Sequence, residues 1–125
     1  MKKLNVLLVC MLFTLTAVMA QSPIIKFPVK EFDFGKIKEV DGNVTHVFDF
    51  TNIGKAPLVV NQVQASCGCT TPTWTKEPIE PGKKGAITVT YSTAGRPGSF
   101  TKTITVSSND TVKQVLIIKG EVIPK

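Results

Sequence analysis

Two cysteines separated by a single glycine, Cys67 and Cys69, are the residues of this chain with the most distinctive chemistry. They lie in the stretch Ser-Cys-Gly-Cys-Thr-Thr-Pro that begins at Ser66. In an oxidising compartment such a pair can form a disulfide, remain as two thiols, link two chains or bind a metal ion. The sequence alone leaves these states open.

A bond between Cys67 and Cys69 would require the backbone to bend. The two Cα atoms of a disulfide lie about 4.4 to 6.8 Å apart, and an extended chain puts residues i and i+2 at or beyond the upper limit. Gly68 is expected to permit that bend. So small a ring gains little from loop closure compared with the roughly 3 kcal/mol of a 15-residue loop, and a strained ring tends to be easier to reduce. A buried structural loop is the favoured interpretation, and redox exchange with a partner and metal binding remain as alternatives.

The chain offers few groups that would assist these cysteines in catalysis or metal binding. A closed zinc site requires four ligands, and His46 is the only histidine, so we predict no metal and no cofactor. No phosphate-binding glycine loop or nucleophile elbow is present in the sequence. The carboxylates have no spacing that favours paired acid and base roles. The sequence predicts a protein that is not an enzyme. The carboxylates considered are Asp33, Asp49, Glu77 and Glu80.

Contact with a partner is the other role that this region suggests. Gly68, Thr70 and Trp74 form a possible contact loop, and Trp74 is the only tryptophan of the chain. A packing role over one end of the domain is the more ordinary expectation for Trp74. His46 shares its strand parity with Phe48, so we expect a core or rim histidine with hydrogen-bonded ring nitrogens, with a role as ligand or base as the alternative.

Residues 1–20 predict a secretory signal peptide. Lys2 and Lys3 precede an apolar run over residues 4–18, and a cleavage site follows at Ala20. The run is shorter than the roughly 20 residues of a membrane span, so we expect removal of the leader and no span thereafter. A lipidated Cys10 is disfavoured because the preceding residue is not small. Residues 21–125 would then form one exported domain, periplasmic or extracellular.

The charge of the exported part argues against nucleic-acid binding. Two of the 15 basic residues lie in the leader, which leaves 13 against nine acidic residues and a net charge of +4. These lysines are scattered among acids with no aromatic interleaving, whereas a nucleic-acid site concentrates basic residues on one face. We predict no nucleic-acid partner.

Alternating apolar residues between turn signals predict an all-β domain after residue 20. Residues 43–52 show the pattern most clearly, with Phe48 and Phe50 expected to point inward. Pro28 interrupts the first extended stretch and predicts an edge or a bulge, and Gly35 is expected to end that stretch. Residues 115–118 are apolar on both parities, which is typical of a strand in mid-sheet or covered on both faces. About seven strands in an immunoglobulin-like β-sandwich are expected.

The order of motifs resembles the bacterial domain of unknown function 1573 family over nearly the whole exported part. This resemblance implies an immunoglobulin-like sandwich related to hydin-type and major-sperm-protein-type domains, often exported, with no established activity. From the all-β pattern, the leader and the lack of a catalytic set we expect an exported binding or assembly module. It would contact a protein or cell-envelope partner through a loop end or an edge strand. Thiol–disulfide exchange or metal handling at Cys67-Gly68-Cys69 is the alternative. The motifs are Asp33-Phe34-Gly35, Val44-Thr45-His46-Val47-Phe48-Asp49-Phe50-Thr51-Asn52-Ile53-Gly54, Pro57-Leu58, Ser66-Cys67-Gly68-Cys69-Thr70-Thr71-Pro72, Trp74, Pro78-Ile79, Pro81-Gly82, Gly85-Ala86-Ile87-Thr88-Val89-Thr90-Tyr91 and Thr105-Val106-Ser107-Ser108-Asn109.

Overall fold

The computed structural model describes residues 21–125, and the predicted signal peptide lies outside them. Two four-stranded sheets face each other, in the orders β1-β3-β6-β5 and β2-β8-β7-β4. The all-β sandwich is confirmed, and a two-residue first strand brings the described strands to eight. The strands are β1 (Ile25–Lys26), β2 (Glu31–Lys38), β3 (Val44–Asn52), β4 (Val60–Ala65), β5 (Thr70–Trp74), β6 (Lys84–Tyr91), β7 (Gly98–Ser108) and β8 (Gln114–Ile123), with a 3-10 turn at Glu39–Asp41.

The core forms between the sheets because successive residues of a strand point to opposite faces. On β3, Phe48 and Phe50 are buried, as the alternation predicts, while Val47 is 46% exposed. Phe48 lies opposite Ile87 of β6 in an antiparallel pair. The facing sheet contributes buried residues such as Ile104. Each such side chain stabilises the fold by about 1.5 to 3 kcal/mol relative to exposure.

Pro28 marks the point at which the chain passes from one sheet to the other. β1 pairs antiparallel with β3, whereas β2 pairs parallel with β8 in the facing sheet. Proline has no N–H to donate, so a break in the ladder at this residue leaves no donor unpaired. The predicted interruption is confirmed, and its cause is a change of sheet.

The prediction that Gly35 ends the first extended stretch is wrong. β2 continues to Lys38, and its register with β8 shifts between Asp33 and Lys36. Gly35 has φ +69°, and its N–H donates a 2.8 Å hydrogen bond to Asp33 Oδ1. A residue in this left-handed conformation is a common feature of a β-bulge, so the glycine bends the strand without terminating it.

The strand β8 lies between β2 and β7, as the doubly apolar centre predicts for a mid-sheet position. Leu116 and Ile118 are fully buried, but Val115 on the opposite face is 47% exposed. The apolar run therefore occurs in a mid-sheet strand that is fully covered on one face only.

Candidate functional site

The Cys67-Gly68-Cys69 loop carries the chain from one sheet to the other. It joins β4, an edge strand of one sheet, to β5, an edge strand of the facing sheet. At its start, Ser66 N–H donates to the carbonyl of Thr103, and Ser66 Oγ accepts a 3.2 Å bond from Thr103 N–H. At its end, Ser92 N–H donates a 2.9 Å bond to the carbonyl of Cys69. The loop is thus anchored to both sheets by its backbone.

The backbone brings the two sulfur atoms within bonding contact. The Cα atoms of Cys67 and Cys69 are 5.3 Å apart, inside the range that a disulfide requires. A 3.3 Å hydrogen bond from Thr70 N–H to the carbonyl of Cys67 closes the turn. Gly68 does not have a positive φ, and a Cβ at this position would meet no atom within 4 Å. The bend expected at Gly68 is present, but it does not require glycine.

The two cysteines differ in accessibility. Cys67 is half-buried, while Cys69 is buried, with 4% of its surface exposed. Thr70, whose residue is also buried, places its Oγ1 3.7 Å from each sulfur. One hydroxyl group therefore lies beside both sulfur atoms on the inner side of the loop.

The three residues of the predicted contact loop do not form one exposed surface. Gly68 is exposed, Thr70 is buried and Trp74 is half-buried. Thr70 and Trp74 are the first and last residues of β5, about 13 Å apart at the usual rise per residue. Lys76 Nζ lies 5.0 Å from the centroid of the Trp74 ring. The indole therefore sits away from the cysteines, at the far end of the strand.

His46 lies at the rim between the sheets, as its parity predicts. Its ring stacks on Phe32 of β2 with centroids 3.7 Å apart, and it meets Phe48 edge-on at 4.6 Å. Among residues 21–125, the contacts that fix the ring are aromatic, in place of the expected hydrogen bonds. Burial lowers the pKa of His46 below its usual 6.5, and the nearby Asp49 carboxylate opposes that shift only partly.

One edge of β3 is open, whereas the sequence predicted an edge strand for binding without indicating which strand. β1 pairs only with Thr51 and Asn52, and no other described strand pairs with that side of β3. Asn52 N–H donates to Lys83 on the β6 side. Because backbone groups alternate along a strand, the N–H and C=O groups of Thr45, Val47 and Asp49 point away from β6. We call residues 45–49 on this side the free edge.

A groove of about 290 Å³ adjoins the free edge. Its lining is mainly apolar and comes from β3, the start of β2 and the segment that changes sheets. Pro28 was the one sequence signal of this groove, because the segment after β1 turns away from β3 near this proline. The lining residues are Pro28, Val29, Phe32, His46, Val47, Phe48 and Asp49.

The acidic residues do not form a cluster in the part of the chain that the structure describes. No group of three or more histidine, cysteine, aspartate or glutamate side chains is placed to hold a metal ion there. Asp33 supports the bulge at Gly35, and Asp49 is exposed on β3. Within residues 21–125, no helix is long and apolar enough to cross a membrane.

These features define an immunoglobulin-like β-sandwich. A protein of unknown function from Porphyromonas gingivalis W83 superposes with a TM-score of 0.71 at 19% identity, covering 85% of this chain and 50% of that chain. Human CEP192 PapD-like domain 7 gives 0.65 at 11% identity, covering 89% and 94%. The YadV chaperone gives 0.51 at 17% identity, covering 81% and 52%. At these identities the likeness shows the fold alone.

The chain belongs to the family described as "Protein of unknown function (DUF1573)", which its sequence matches over residues 25–122. It spans half the length of the Porphyromonas gingivalis protein. A search of curated proteins found no match. The family expected from the motifs is confirmed.

Proposed function

We propose that this chain is an exported, non-enzymatic module that binds a partner protein at the bacterial cell envelope, in the periplasm or outside the cell. The partner contributes an extended segment that pairs with the free edge of β3. The observation that carries this proposal is the unpaired side of β3 next to an apolar groove.

Backbone pairing would supply much of the affinity. Thr45, Val47 and Asp49 offer three N–H and three C=O groups along the free edge, and an added strand satisfies such groups on both chains. Sheet edges of this kind are protected or used in most β proteins. Strand addition is therefore a low-cost way for this sandwich to bind.

The groove specifies the chemistry of the segment. Its floor is formed by aromatic rings, with Phe32 stacked on His46 and Phe48 beside them. A strand laid against β3 directs every second side chain toward the facing sheet. The partner segment would carry apolar side chains at those positions and polar side chains between them.

Export is supported by the residues of the leader and by the cysteines. Lys2, Lys3 and the apolar run up to Val18 have the order of a secretory signal. Cys67 and Cys69 are spaced so that they can bond, and such bonds persist in oxidising compartments. Fractionation of cells expressing the chain, with N-terminal sequencing, should find Gln21 as the first residue outside the cytoplasm. A cytoplasmic chain that keeps its leader contradicts export.

Replacement of Val47 by proline tests strand addition. The Val47 N–H points to the free edge, so V47P removes a donor that the fold itself does not use. A photo-crosslinking residue at Asp49 should capture a partner in the V47T background and lose it in V47P. Both variants should fold, which thermal unfolding checks. Equal capture in the two folded variants would overturn pairing at this edge.

A further inference from the structure

The cysteine loop has an outer and an inner sulfur. Cys67 is half-buried, whereas Cys69 is buried. The carbonyl of Cys69 also accepts a hydrogen bond from the N–H of Ser92, just after β6. A thiol of another molecule can approach Cys67 from solvent, but the residues around Cys69 obstruct its approach there. Exchange reactions depend on which sulfur is accessible.

The Thr70 hydroxyl is placed to assist the opening of a bond between these sulfurs. Its Oγ1 lies 3.7 Å from both, a distance at which an O–H can donate to sulfur. Sulfur is a weak acceptor in a disulfide, but a thiolate is charged and accepts a stronger hydrogen bond. The hydroxyl therefore interacts more strongly with the Cys69 thiolate than with the closed disulfide.

The loop can change its redox state while the sandwich stays intact. Ser66 is held by Thr103 through its backbone N–H and its hydroxyl, and Cys69 is held by Ser92 through its backbone carbonyl, so none of these hydrogen bonds involves sulfur. The ring between Cys67 and Cys69 contains almost no chain, so the bond contributes little to loop closure. Neither the anchors nor the strand pairing needs the sulfur–sulfur bond.

We propose that Cys67 and Cys69 form a directional thiol–disulfide exchange site for a dithiol or disulfide of a partner protein. In the reducing direction for the chain, a partner thiolate attacks Cys67 Sγ, a new sulfur–sulfur bond forms there and the electron pair of the old bond goes to Cys69 Sγ. A second partner thiolate then releases Cys67 as a thiolate. The chain gains two electrons from the partner dithiol and two protons through solvent, and the partner becomes a disulfide.

The opposite direction uses the same roles. The Cys67 thiolate attacks a partner disulfide, and Cys69 then attacks Cys67 Sγ, which closes the ring and releases the reduced partner. Cys67 is the exchanging sulfur and Cys69 the resolving sulfur. Thr70 is a positioning residue that acts through the Cys69 sulfur. This role is independent of strand binding at β3.

Single cysteine variants test the direction, using oxidised glutathione as the probe and C10S as the background. C69S should form the mixed disulfide with glutathione at least about tenfold faster than C67S, as followed by intact mass. Equal rates, a faster C67S, or no adduct on folded C69S would overturn the proposal. On the reduced chain with both cysteines intact, limiting iodoacetamide should label Cys67 before Cys69 by peptide mass. Labelling in the reverse order also overturns it.

Variants at Thr70 separate positioning from packing. T70V preserves the shape of the side chain and removes the hydroxyl. Reduction of the disulfide by reduced glutathione should then slow by roughly tenfold, because a hydrogen bond to the charged thiolate is lost. T70S restores the hydroxyl and should recover most of the rate. Equal rates for folded T70V and T70S would remove Thr70 from the proposal. Crosslinking through β3 should be unaffected by any of these changes.

Discussion

The side-chain amide of Asn52 donates a 2.9 Å hydrogen bond to the carbonyl of Ile79, 27 positions later in the chain. The same Nδ2 donates to Ala56, and Oδ1 accepts from Gly54 N–H and Ile24 N–H. The Asn52 residue is completely buried. One side chain thus joins the residue before β1, the turn after β3 and the segment before β6.

The change N52D should therefore be costly. Aspartate retains the acceptor but cannot make both donations, and it buries a carboxylate, so the free energy of unfolding should fall by about 2 to 4 kcal/mol. Urea unfolding measures the loss. The matched change N61D, at an exposed asparagine of β4, should alter stability by less than about 0.5 kcal/mol. Similar losses in the two variants would contradict the role of Asn52.

Alanine at Gly54 and at Gly68 should have opposite consequences. A Cβ at Gly54 would collide with backbone atoms of Ser22 and Ile24 and lie 2.8 Å from the carbonyl carbon of Pro23. Backbone cannot yield as a side chain can, so G54A should destabilise by about 1 to 3 kcal/mol. G68A meets open space and should change stability by less than about 0.5 kcal/mol. Thermal unfolding compares them, and a larger loss for G68A would show that the cysteine loop depends on its glycine.

Reduction of the disulfide should lower stability only slightly. The chain-entropy relation gives a ring of this size roughly 1.5 kcal/mol, compared with about 3 kcal/mol for a 15-residue loop. Unfolding in urea with and without dithiothreitol measures the difference. The variant with serine at both Cys67 and Cys69 provides the control, since dithiothreitol should not affect it. A loss above about 3 kcal/mol would identify the bond as a structural staple.

The free energy of unfolding should decrease as the pH falls below the usual pKa of histidine, about 6.5. The pKa of His46 is lowered in the fold, so below about pH 6.5 the unfolded chain binds a proton that the folded chain resists. The free energy of unfolding is therefore greatest above about pH 6.5 and decreases as the pH falls below that value. H46F keeps the stack on Phe32 and removes the titration. Between about pH 8 and pH 5 it should lose less stability than the wild type. Equal losses would show that His46 is not the cause.

The faces of the strands were predictable because alternation depends only on neighbouring residues. Phe48 and Phe50 were correctly placed inside from their parity. The centre of β8 left two alternatives, coverage of both faces or a mid-sheet position, and the structure shows the second. Gly35 was misread because the same residue can end a strand or form a bulge. The partner strand decides between these outcomes, and β8 lies far along the chain.

The candidate site was predictable in part. The cysteine pair could be identified by its spacing, but the sequence does not distinguish the outer Cys67 from the inner Cys69. That difference arises because β4 and β5 belong to different sheets and the loop between them turns one sulfur toward the core. Thr70 was placed in a contact loop, and its position beside both sulfurs became evident only in the folded chain.

The sequence by itself determined the class of fold, the family and the residues capable of redox chemistry, because each follows from residue types and local spacing. Tertiary structure alone decided which strand edge stays open, which sulfur faces solvent and which loops Asn52 joins. These properties depend on contacts between distant segments. Strand order, with β1 leaving β3 after two residues and β2 joining β8, is a property of the whole sandwich and not of any one stretch.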